Sequence, residues 1–364
     1  MHCRLLYLVG QLRPGGLERQ LFYLLQVMAR GRYQPAVAVW NFSEADVYVP
    51  RIRALNVPLY AVPRMSSAAA KLRAFSCLVR QLEPEVVHSY SFYTNFAAYW
   101  SVRDTRAVAV GSVRGDFTLD KKESGPLLGR LSARWPRDQI YNSFSAAETC
   151  RLLQSFFVPK QLFVVRNGLN LEQFHSAPPV VDGKVRIVGV GSLVPIKRWD
   201  RLLRAAVEVK RRGFNCLIQI AGDGQLRGML ELQARELGVT DYIQFIGYTE
   251  NIQGLLANAT FLVHTSDSEG CPNVVMEAMA CGCAVVATDA GDIPSLVEDG
   301  KTGFVVPRGD EATLLARIVT LLTDHDLCRR MGEAGRAKAE QQFGLDRLVL
   351  ETLAVYRAMG WKDA

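Results

Sequence analysis

The amino-acid sequence predicts an α/β protein with two doubly wound domains, each built on a parallel β-sheet. Short apolar runs alternate with longer amphipathic segments along the chain, as is typical of strands and helices in parallel sheets. A proline-bearing hinge at residues 177–183 interrupts this alternation near the middle of the chain. A chain of 364 residues, 49% of them apolar, is long enough for two cores of ordinary size.

The first domain is predicted to span residues 1–176, with helices that include 17–29 and 65–82. Gly15 and Gly16 lie in a turn between its first strand and first helix. Glycines in such a turn let the backbone approach a ligand closely and leave helix N–H groups free for an anion. Alternatively, the turn serves only to pack the strand on the helix. Strands are predicted at residues 5–9, 36–40, 86–88, 107–112, 139–141 and 163–165.

The second domain is predicted to span residues 184–342 and to repeat this architecture. A final helix at 343–364 is indicated by the helical spacing of its apolar residues, among them Leu345, Leu348, Leu353 and Tyr356. Strands of the second domain are predicted at residues 185–192, 217–221, 243–246, 261–264, 284–288 and 303–306.

A stretch at residues 268–282 carries the strongest chemical signal. It lies between two apolar runs and predicts a loop with Glu269, followed by a helix with Glu277. The first N–H groups of that helix, on Asn273, Val274 and Val275, are predicted to face an anion such as a diphosphate. Open α/β sheets bind ligands at the carboxyl ends of their strands. Two acids beside an anion site therefore suggest a nucleotide-sugar.

Positive charge is concentrated in the first half of the chain. Residues 1–180 hold 22 Lys and Arg against 12 Asp and Glu, a net +10, and the remainder holds 21 against 24, a net −3. This asymmetry favours an anionic acceptor or membrane surface at the first domain, with an ordinary solvated basic surface as the alternative. Residues 121–137 mix basic and apolar side chains and are either a lipid-contacting segment or a mobile loop.

Several classes of function are disfavoured. We expect no nucleic-acid partner, because no compact basic motif with interleaved aromatic residues is present. The eight cysteines are scattered and there are only five histidines, so we expect no metal site. The first ten residues have too short an apolar core for a signal peptide and no later run reaches membrane-spanning length, so we expect a cytoplasmic protein, peripheral on the inner face of the cell membrane.

The sequence resembles the glycosyltransferases of family 4, also called group 1, which have the GT-B fold. That resemblance implies two Rossmann-like domains facing a cleft, with the acceptor on the first domain, the donor on the second and the final helix crossing back to the first. It rests on five motifs in order: PGGLER at residues 14–19, RNGLN at 166–170, VGSLVPIK at 190–197, AGDG at 221–224 and SEGCPNVVMEAMACG at 268–282.

The resemblance also implies an activity. The expected enzyme is a retaining, metal-independent hexosyltransferase without a cofactor. It would move a sugar from a nucleotide diphosphate, with UDP favoured over GDP, to a saccharide or lipid-linked saccharide in polysaccharide, lipopolysaccharide or glycolipid biosynthesis.

Roles follow for residues of the second domain that match the family's motifs. Glu269 is expected beside the donor sugar, Glu277 at the nucleotide ribose and Lys197 at the departing diphosphate. The family often has an arginine where Ser192 stands, so the phosphate clamp lacks its usual second cation unless Arg198 or another cation supplies it. Alternatively, Ser192 itself hydrogen-bonds a phosphate oxygen. Gly222, Tyr248, Asn273, Val274 and Val275 are the other expected donor contacts.

Roles in the first domain rest on the same resemblance. Gly15 and Gly16 are expected to lie in a loop that closes over the donor phosphates and the acceptor. His88 is expected to make a catalytic contact, with a buried core histidine as the alternative. Arg114 and Asp116 are expected to touch the acceptor, with plain surface placement as the alternative.

Three other readings remain open. A GT-B nucleotide-sugar epimerase shares the fold. A catalytically degenerate transferase that serves as a partner protein is a second alternative, because Ser192 stands where the family often has an arginine and Tyr90 where many relatives have a second histidine. A nicotinamide dehydrogenase is disfavoured because the turn at residues 189–191 lacks the third glycine at the required spacing.

Overall fold

The computed structural model describes residues 3–28, 33–153, 155–175 and 184–363. The chain divides into two compact units. The first unit combines the residues up to Gly168 with those from Leu345 onward, and the second holds Leu169–Gly344. The predicted hinge at 177–183 and the last residue of the predicted first helix lie outside the described residues.

The sheet of the first unit is fully parallel, with the strand order β3-β2-β1-β4-β5-β6-β7. This is the doubly wound arrangement that the sequence predicts. Its strands are β1 (Leu5–Val9), β2 (Pro35–Val39), β3 (Leu59–Ala61), β4 (Val86–Ser89), β5 (Val108–Val113), β6 (Asp138–Tyr141) and β7 (Gln161–Val164). Its first helices are α1 (Gly16–Met28), α2 (Tyr48–Ala54), α3 (Ala68–Leu82), α4 (Asn95–Val102), α5 (Phe117–Glu123), α6 (Pro126–Arg134) and α7 (Phe144–Leu152).

Both faces of this sheet are covered, because successive side chains of a strand point to opposite faces. In β1, Leu5 and Tyr7 belong to one apolar core, together with Leu24 of α1. Leu6 belongs to a second core, together with Phe75 of α3. A continuous apolar run in β1 is therefore what a strand buried on both faces requires.

The second unit repeats this order in its own parallel sheet, β10-β9-β8-β11-β12-β13. Its strands are β8 (Val185–Val190), β9 (Cys216–Ala221), β10 (Ile243–Gly247), β11 (Phe261–His264), β12 (Ala284–Thr288) and β13 (Gly303–Val306). Its helices are α8 (Trp199–Arg211), α9 (Arg227–Glu236), α10 (Ile252–Ala257), α11 (Asn273–Ala280), α12 (Ile293–Leu296), α13 (Glu311–Thr323) and α14 (His325–Gln342).

The final helix, α15 (Leu345–Ala358), belongs to the first unit, as the resemblance implies. It packs against α1, and its Leu348, Leu353 and Tyr356 are buried in the core that contains Leu5. The predicted helical spacing of its apolar residues is thereby confirmed.

The predicted strands are all present, with ends that differ by no more than two residues. Strand β3 was not predicted. The segment at 121–137 contains the last three residues of α5 and all of α6, which are separated at Gly125 with φ +83°, so the alternative of a loop is wrong. None of the helices in the described ranges is long and apolar enough to cross a membrane.

Candidate functional site

Three loops of the second unit lie where the carboxyl ends of its central strands meet. β8 pairs with β9 on one side and with β11 on the other, and the strand order reverses between β8 and β11. Open α/β sheets bind ligands at this switch point. Ser192 and Lys197 follow β8, Gly222 follows β9 and Glu269 follows β11, so one edge of the sheet carries these four predicted residues.

The loops after β8 and β9 pack directly against each other. Gly222 has φ +144°, and a Cβ atom there would lie 2.0 Å from the carbonyl oxygen of Gly191. A Cβ atom on Gly224 would lie 2.6 Å from the carbonyl oxygen of Leu193. The two glycines are therefore required for this close approach of the backbones.

The turn that carries Lys197 is held against the loop after β11. This 3-10 turn spans Pro195–Lys197. The hydroxyl of Thr265 donates to the carbonyl oxygen of Lys197 at 2.7 Å. The N–H of Asp267 donates to the carbonyl oxygen of Ile196 at 2.9 Å. Both hydrogen bonds bring Lys197, the predicted contact of the diphosphate, close to the loop that carries Glu269.

Lys197 and Glu269 form an ion pair within the site. The ammonium Nζ contacts the carboxylate Oε1, and the two side chains are 21% and 12% exposed. The Nε2 atom of His264, the last residue of β11, lies 3.1 Å from the same oxygen. Burial alone would raise the pKa of Glu269, but the contacts with His264 and Lys197 hold it below its ordinary value. The carboxylate is therefore ionised at neutral pH.

The backbone of Glu269 is fixed by the segment that follows β12. Gly291 has φ +57°, and a Cβ atom there would lie 2.3 Å from the carbonyl oxygen of Glu269. The N–H of Asp292 donates to the carbonyl oxygen of Gly270 at 3.0 Å. The acid is thus presented from a loop whose backbone is tightly packed.

Helix α11 carries the second acid of the motif. Gly282, predicted to end this helix, has φ +70° just after it. Glu277 is 1% exposed and Asn273 is 9% exposed, so both side chains lie within the packed part of the unit. The role of Glu277 at a ribose stays a prediction.

The start of α11 differs in one respect from the prediction. The N–H of Val275 donates to the carbonyl oxygen of Pro272 at 3.2 Å, because the first turn of the helix closes on that carbonyl. The prediction that this N–H group is free to bind an anion is therefore wrong. Val274, the preceding residue, is half-buried.

Arg198 does not replace the missing arginine at position 192. Its guanidinium lies 3.0 Å from the carboxylates of both Asp200 and Asp267. Hydrogen bonds to Asp200 and Asp267 raise its pKa further. Arg201, which is 5% exposed, lies 2.6 Å from Asp267 as well. These two arginines hold the loops after β8 and β11 together.

Ser192 and Tyr248 are at the surface of the unit. The side chain of Ser192 is exposed, while its carbonyl oxygen accepts a hydrogen bond from Nε1 of Trp199 at 3.0 Å. Tyr248 is 59% exposed and follows Gly247, whose carbonyl oxygen accepts the N–H of Gly222 at 2.8 Å. Their contacts with a donor stay predictions.

In the first unit, the turn with Gly15 and Gly16 packs against the buried side chain of Glu18. Helix α1 begins at Gly16, and a Cβ atom on Gly15 would lie 2.2 Å from Oε2 of Glu18. Glu18 is 8% exposed, and burial raises the pKa of its carboxyl to about 7. The sequence motif contains this residue, but no role was predicted for it.

His88 is buried, and both of its ring nitrogens have partners. Nδ1 lies 2.5 Å from the hydroxyl of Tyr356, and Nε2 lies 2.8 Å from the hydroxyl of Ser112. Burial lowers its pKa, and the nearby charge of Arg114 acts in the same direction. The imidazole is therefore neutral. These contacts are those of the core histidine that was the alternative, and the catalytic role stays a prediction.

Arg114 and Asp116 follow β5. The guanidinium of Arg114 lies over the ring of Tyr90, 4.1 Å from its centroid. Asp116 caps α5 by accepting hydrogen bonds from the N–H groups of Thr118 and Leu119 at 2.9 and 3.0 Å. Asp116 therefore has a structural function in addition to the acceptor contact that stays predicted for it.

Sequence reasoning missed His264 and the pairing of Arg201 with Asp267. The one available signal for His264 is its place at the end of the strand before the acidic loop. Within the described ranges, no group of three or more His, Cys, Asp and Glu side chains is arranged to hold a metal ion.

Comparison with protein families gives two adjacent matches. Residues 14–173 match the model described as Glycosyltransferase Family 4, and residues 172–338 match the model described as Glycosyl transferases group 1. Together these matches cover every strand of the two sheets except β1.

Curated relatives match the chain over part of their length. N-acetyl-alpha-D-glucosaminyl L-malate synthase of Bacillus anthracis is 25% identical over 201 residues, which are 55% of this chain and 51% of that protein. D-inositol 3-phosphate glycosyltransferase of Streptomyces scabiei is 32% identical over 222 residues, 55% of this chain and 49% of that protein. The chain thus spans about half the length of these relatives.

Solved structures resemble the chain over almost its whole length. Anabaena HepE in complex with UDP and glucose has a TM-score of 0.83 at 20% identity, covering 98% of this chain and 100% of that one. Sucrose-phosphate synthase from Thermosynechococcus elongatus has a TM-score of 0.81 at 17% identity, covering 98% and 99%. The chain belongs to the group 1, or family 4, glycosyltransferases, and its fold is GT-B.

Proposed function

We propose that this chain is a retaining, metal-independent glycosyltransferase that moves a sugar from a nucleotide diphosphate to a saccharide or lipid-linked saccharide. The observation that carries the proposal is the contact between Lys197 and Glu269 at the switch point of the second sheet. A cation and an ionised carboxylate, both held by packed loops, provide the charges that a diphosphate and a sugar require.

The proposed roles follow from these charges. The ammonium of Lys197 would neutralise the diphosphate as negative charge develops on it in the transition state. The carboxylate of Glu269 would accept hydrogen bonds from hydroxyl groups of the donor sugar. Glu277, buried on α11, would accept the two hydroxyl groups of the ribose.

The proposed reaction uses no nucleophile from the protein. The bond between the anomeric carbon and the diphosphate oxygen breaks, and the acceptor hydroxyl oxygen bonds to the same face of that carbon. The hydroxyl proton passes to an oxygen of the departing phosphate. The protein contributes by positioning the two substrates and stabilising charge, without a cofactor.

A UDP-sugar is the proposed donor, in preference to a GDP-sugar. Three solved structures of Anabaena HepE contain UDP, UDP with glucose, or UDP-glucose. A structure of Staphylococcus aureus TarM also contains UDP. Another structural relative is named a lipopolysaccharide outer core galactosyltransferase, which supports a glycan acceptor.

An anionic membrane surface is the proposed location of the acceptor. A groove of about 480 Å³ in the first unit is lined by Lys121, Lys122 and Arg130 together with apolar side chains such as Phe117. Leu127, beside it on α6, is 71% exposed. Basic and exposed apolar side chains on short helices suit the inner face of a cell membrane.

Transfer of a labelled sugar tests the proposal. The purified chain is incubated with labelled UDP-glucose, UDP-N-acetylglucosamine, UDP-galactose or GDP-mannose, a lipid extract and EDTA. The expected product is a labelled saccharide whose anomeric configuration matches that of the donor. Conversion of the donor into its epimer would instead favour the nucleotide-sugar epimerase. Nucleotide binding without any product would favour the catalytically degenerate transferase.

A further inference from the structure

The ion pair of Lys197 and Glu269 raises the question of what happens when a donor binds. In the structure, the two charges that are proposed for the diphosphate and the sugar neutralise each other. A diphosphate competes with Glu269 for the single ammonium group. If Lys197 moves to the diphosphate, Glu269 remains as a carboxylate that is only 12% exposed. A buried charge that loses its partner is strongly destabilised unless another donor replaces it.

His264 is suited to replace Lys197 as the partner of the Glu269 carboxylate. Its side chain is 3% exposed, and its Nε2 atom lies 3.1 Å from Oε1 of Glu269. This distance suits a hydrogen bond. However, neither ring nitrogen makes an aligned hydrogen bond within the part of the chain that the structure describes, while Oε1 accepts the hydrogen bond of Lys197. A buried ring nitrogen without such a bond calls for an explanation.

The position of His264 is rigid. It is the last residue of β11, a strand with β8 on one side and β12 on the other. Within this sheet it lies opposite Ala287 of β12. A side chain on a central strand holds a reacting group more accurately than one on a loop. We therefore expect His264 to stay in place if the ammonium of Lys197 moves.

We propose that the Lys197–Glu269 ion pair is the resting state of the donor site. When the donor binds, His264 replaces Lys197 as the hydrogen-bond partner of the Glu269 carboxylate. The ammonium then lies against the diphosphate. The carboxylate turns to accept the N–H of His264 through Oε1 and presents Oε2 to the sugar hydroxyls. His264 is a positioning residue for the sugar, and Lys197 is a contact of the diphosphate. This inference rests on the proposed function and deepens it.

Calorimetric titration with two probes tests the inference without an acceptor. UDP reports on the diphosphate site, and UDP-glucose reports on the sugar site in addition. The proteins compared are the wild type, Glu269→Gln, His264→Leu, His264→Gln and the control His325→Gln, which changes an exposed histidine at the start of α14. Thermal unfolding of each protein shows whether it is folded.

Three results are expected. Glu269→Gln binds UDP about threefold or more tightly than the wild type, because it frees Lys197 and removes a negative charge beside the diphosphate. His264→Leu binds UDP within about twofold of the wild type but loses about fivefold or more of its affinity for UDP-glucose. His264→Gln, which keeps a donor N–H, recovers most of that affinity, and His325→Gln matches the wild type.

Other results overturn the inference. Unchanged or weaker binding of UDP by Glu269→Gln contradicts a resting ion pair, and this arm stands even if His264→Leu does not fold. Equal loss of both ligands in His264→Leu and His264→Gln shows a purely structural histidine. If the wild type binds UDP and these changes are absent, the inference fails while the proposed function stands. A wild type that binds neither probe contradicts the proposed UDP-sugar donor as well.

Discussion

The hydroxyl of Tyr356 on the C-terminal helix lies 2.5 Å from Nδ1 of His88 in β4. The two residues are 268 positions apart in the sequence, and both are buried. The second ring nitrogen of His88 is used by Ser112. The histidine that the family resemblance suggests for catalysis is thus part of the contact that joins α15 to the first sheet.

The contribution of this contact is measurable in the variant Tyr356→Phe. The change leaves Nδ1 of buried His88 without its partner, so we expect the free energy of unfolding to fall by about 1–2 kcal/mol. Urea denaturation measures it, with Tyr248→Phe as a control because Tyr248 is 59% exposed. Equal stability of the two variants would show that the hydrogen bond is energetically unimportant.

Glu18 predicts a pH-dependent stability. The pKa of its carboxyl is raised from 4.5 to about 7, so the folded chain binds this proton more tightly than the unfolded chain does. The corresponding stabilisation is complete below the unfolded pKa and is lost as the pH rises through about 7. Glu18→Gln keeps the shape without the titration. We expect it to exceed the wild type in unfolding free energy at pH 8 by roughly 2–3 kcal/mol, with the difference vanishing near pH 4.

Denaturant titrations of both proteins at several pH values measure this difference. Comparing the two proteins at each pH removes the contribution of other carboxyls such as Asp120, whose pKa burial also raises to about 7. A difference that is the same at pH 4 and pH 8 would contradict the assignment to Glu18.

Much of the fold was predictable because the parallel strands are buried on both faces. Strands such as β11 and β12 are continuous apolar runs, and turn residues mark their ends. Strand β3 escaped prediction because it has only three residues, Leu59–Ala61, at the edge of the sheet, none of them fully buried. A short edge strand leaves little periodic signal.

The site was predictable to a different degree. Glu269 and Lys197 follow from motif order, but their pairing does not, because they are 72 residues apart and meet only when the loops after β8 and β11 pack. His264 has no motif of its own, and the short distance between its side chain and that of Glu269 depends on the path of the backbone. Arg198 was one of the alternatives for the missing cation of the clamp, and only the structure shows that Asp200 and Asp267 hold it.

The basic groove of the first unit predicts salt-sensitive membrane binding. The double variant Lys122→Glu/Arg130→Glu reverses two exposed charges at the groove. Each cation near an anionic surface contributes about 1 kcal/mol, so we expect binding to phosphatidylglycerol vesicles at low salt to fall at least about tenfold. Vesicle co-sedimentation measures this binding. The control Lys301→Glu/Arg329→Glu changes exposed cations of the second unit and should bind as the wild type does. A wild type that stays in solution at low salt would end the idea.

Lys197 predicts a loss of diphosphate affinity. The variant Lys197→Met keeps most of the side-chain length and removes the charge, so we expect UDP to bind about tenfold more weakly. Lys301→Met, which changes a lysine that is 70% exposed, serves as the matched control. Calorimetry with UDP decides the matter, and equal affinities in both variants would remove Lys197 from the donor site.

The most direct measurement of the central claim compares sugar transfer by the wild type and by Glu269→Gln, using the donor and acceptor found in the labelled-sugar screen. Since the carboxylate is proposed to contact the donor sugar, we expect transfer to fall by at least about a hundredfold while UDP still binds. Exposed Glu236→Gln on α9 controls for the substitution itself. Transfer by Glu269→Gln at a rate close to that of the wild type would contradict the account.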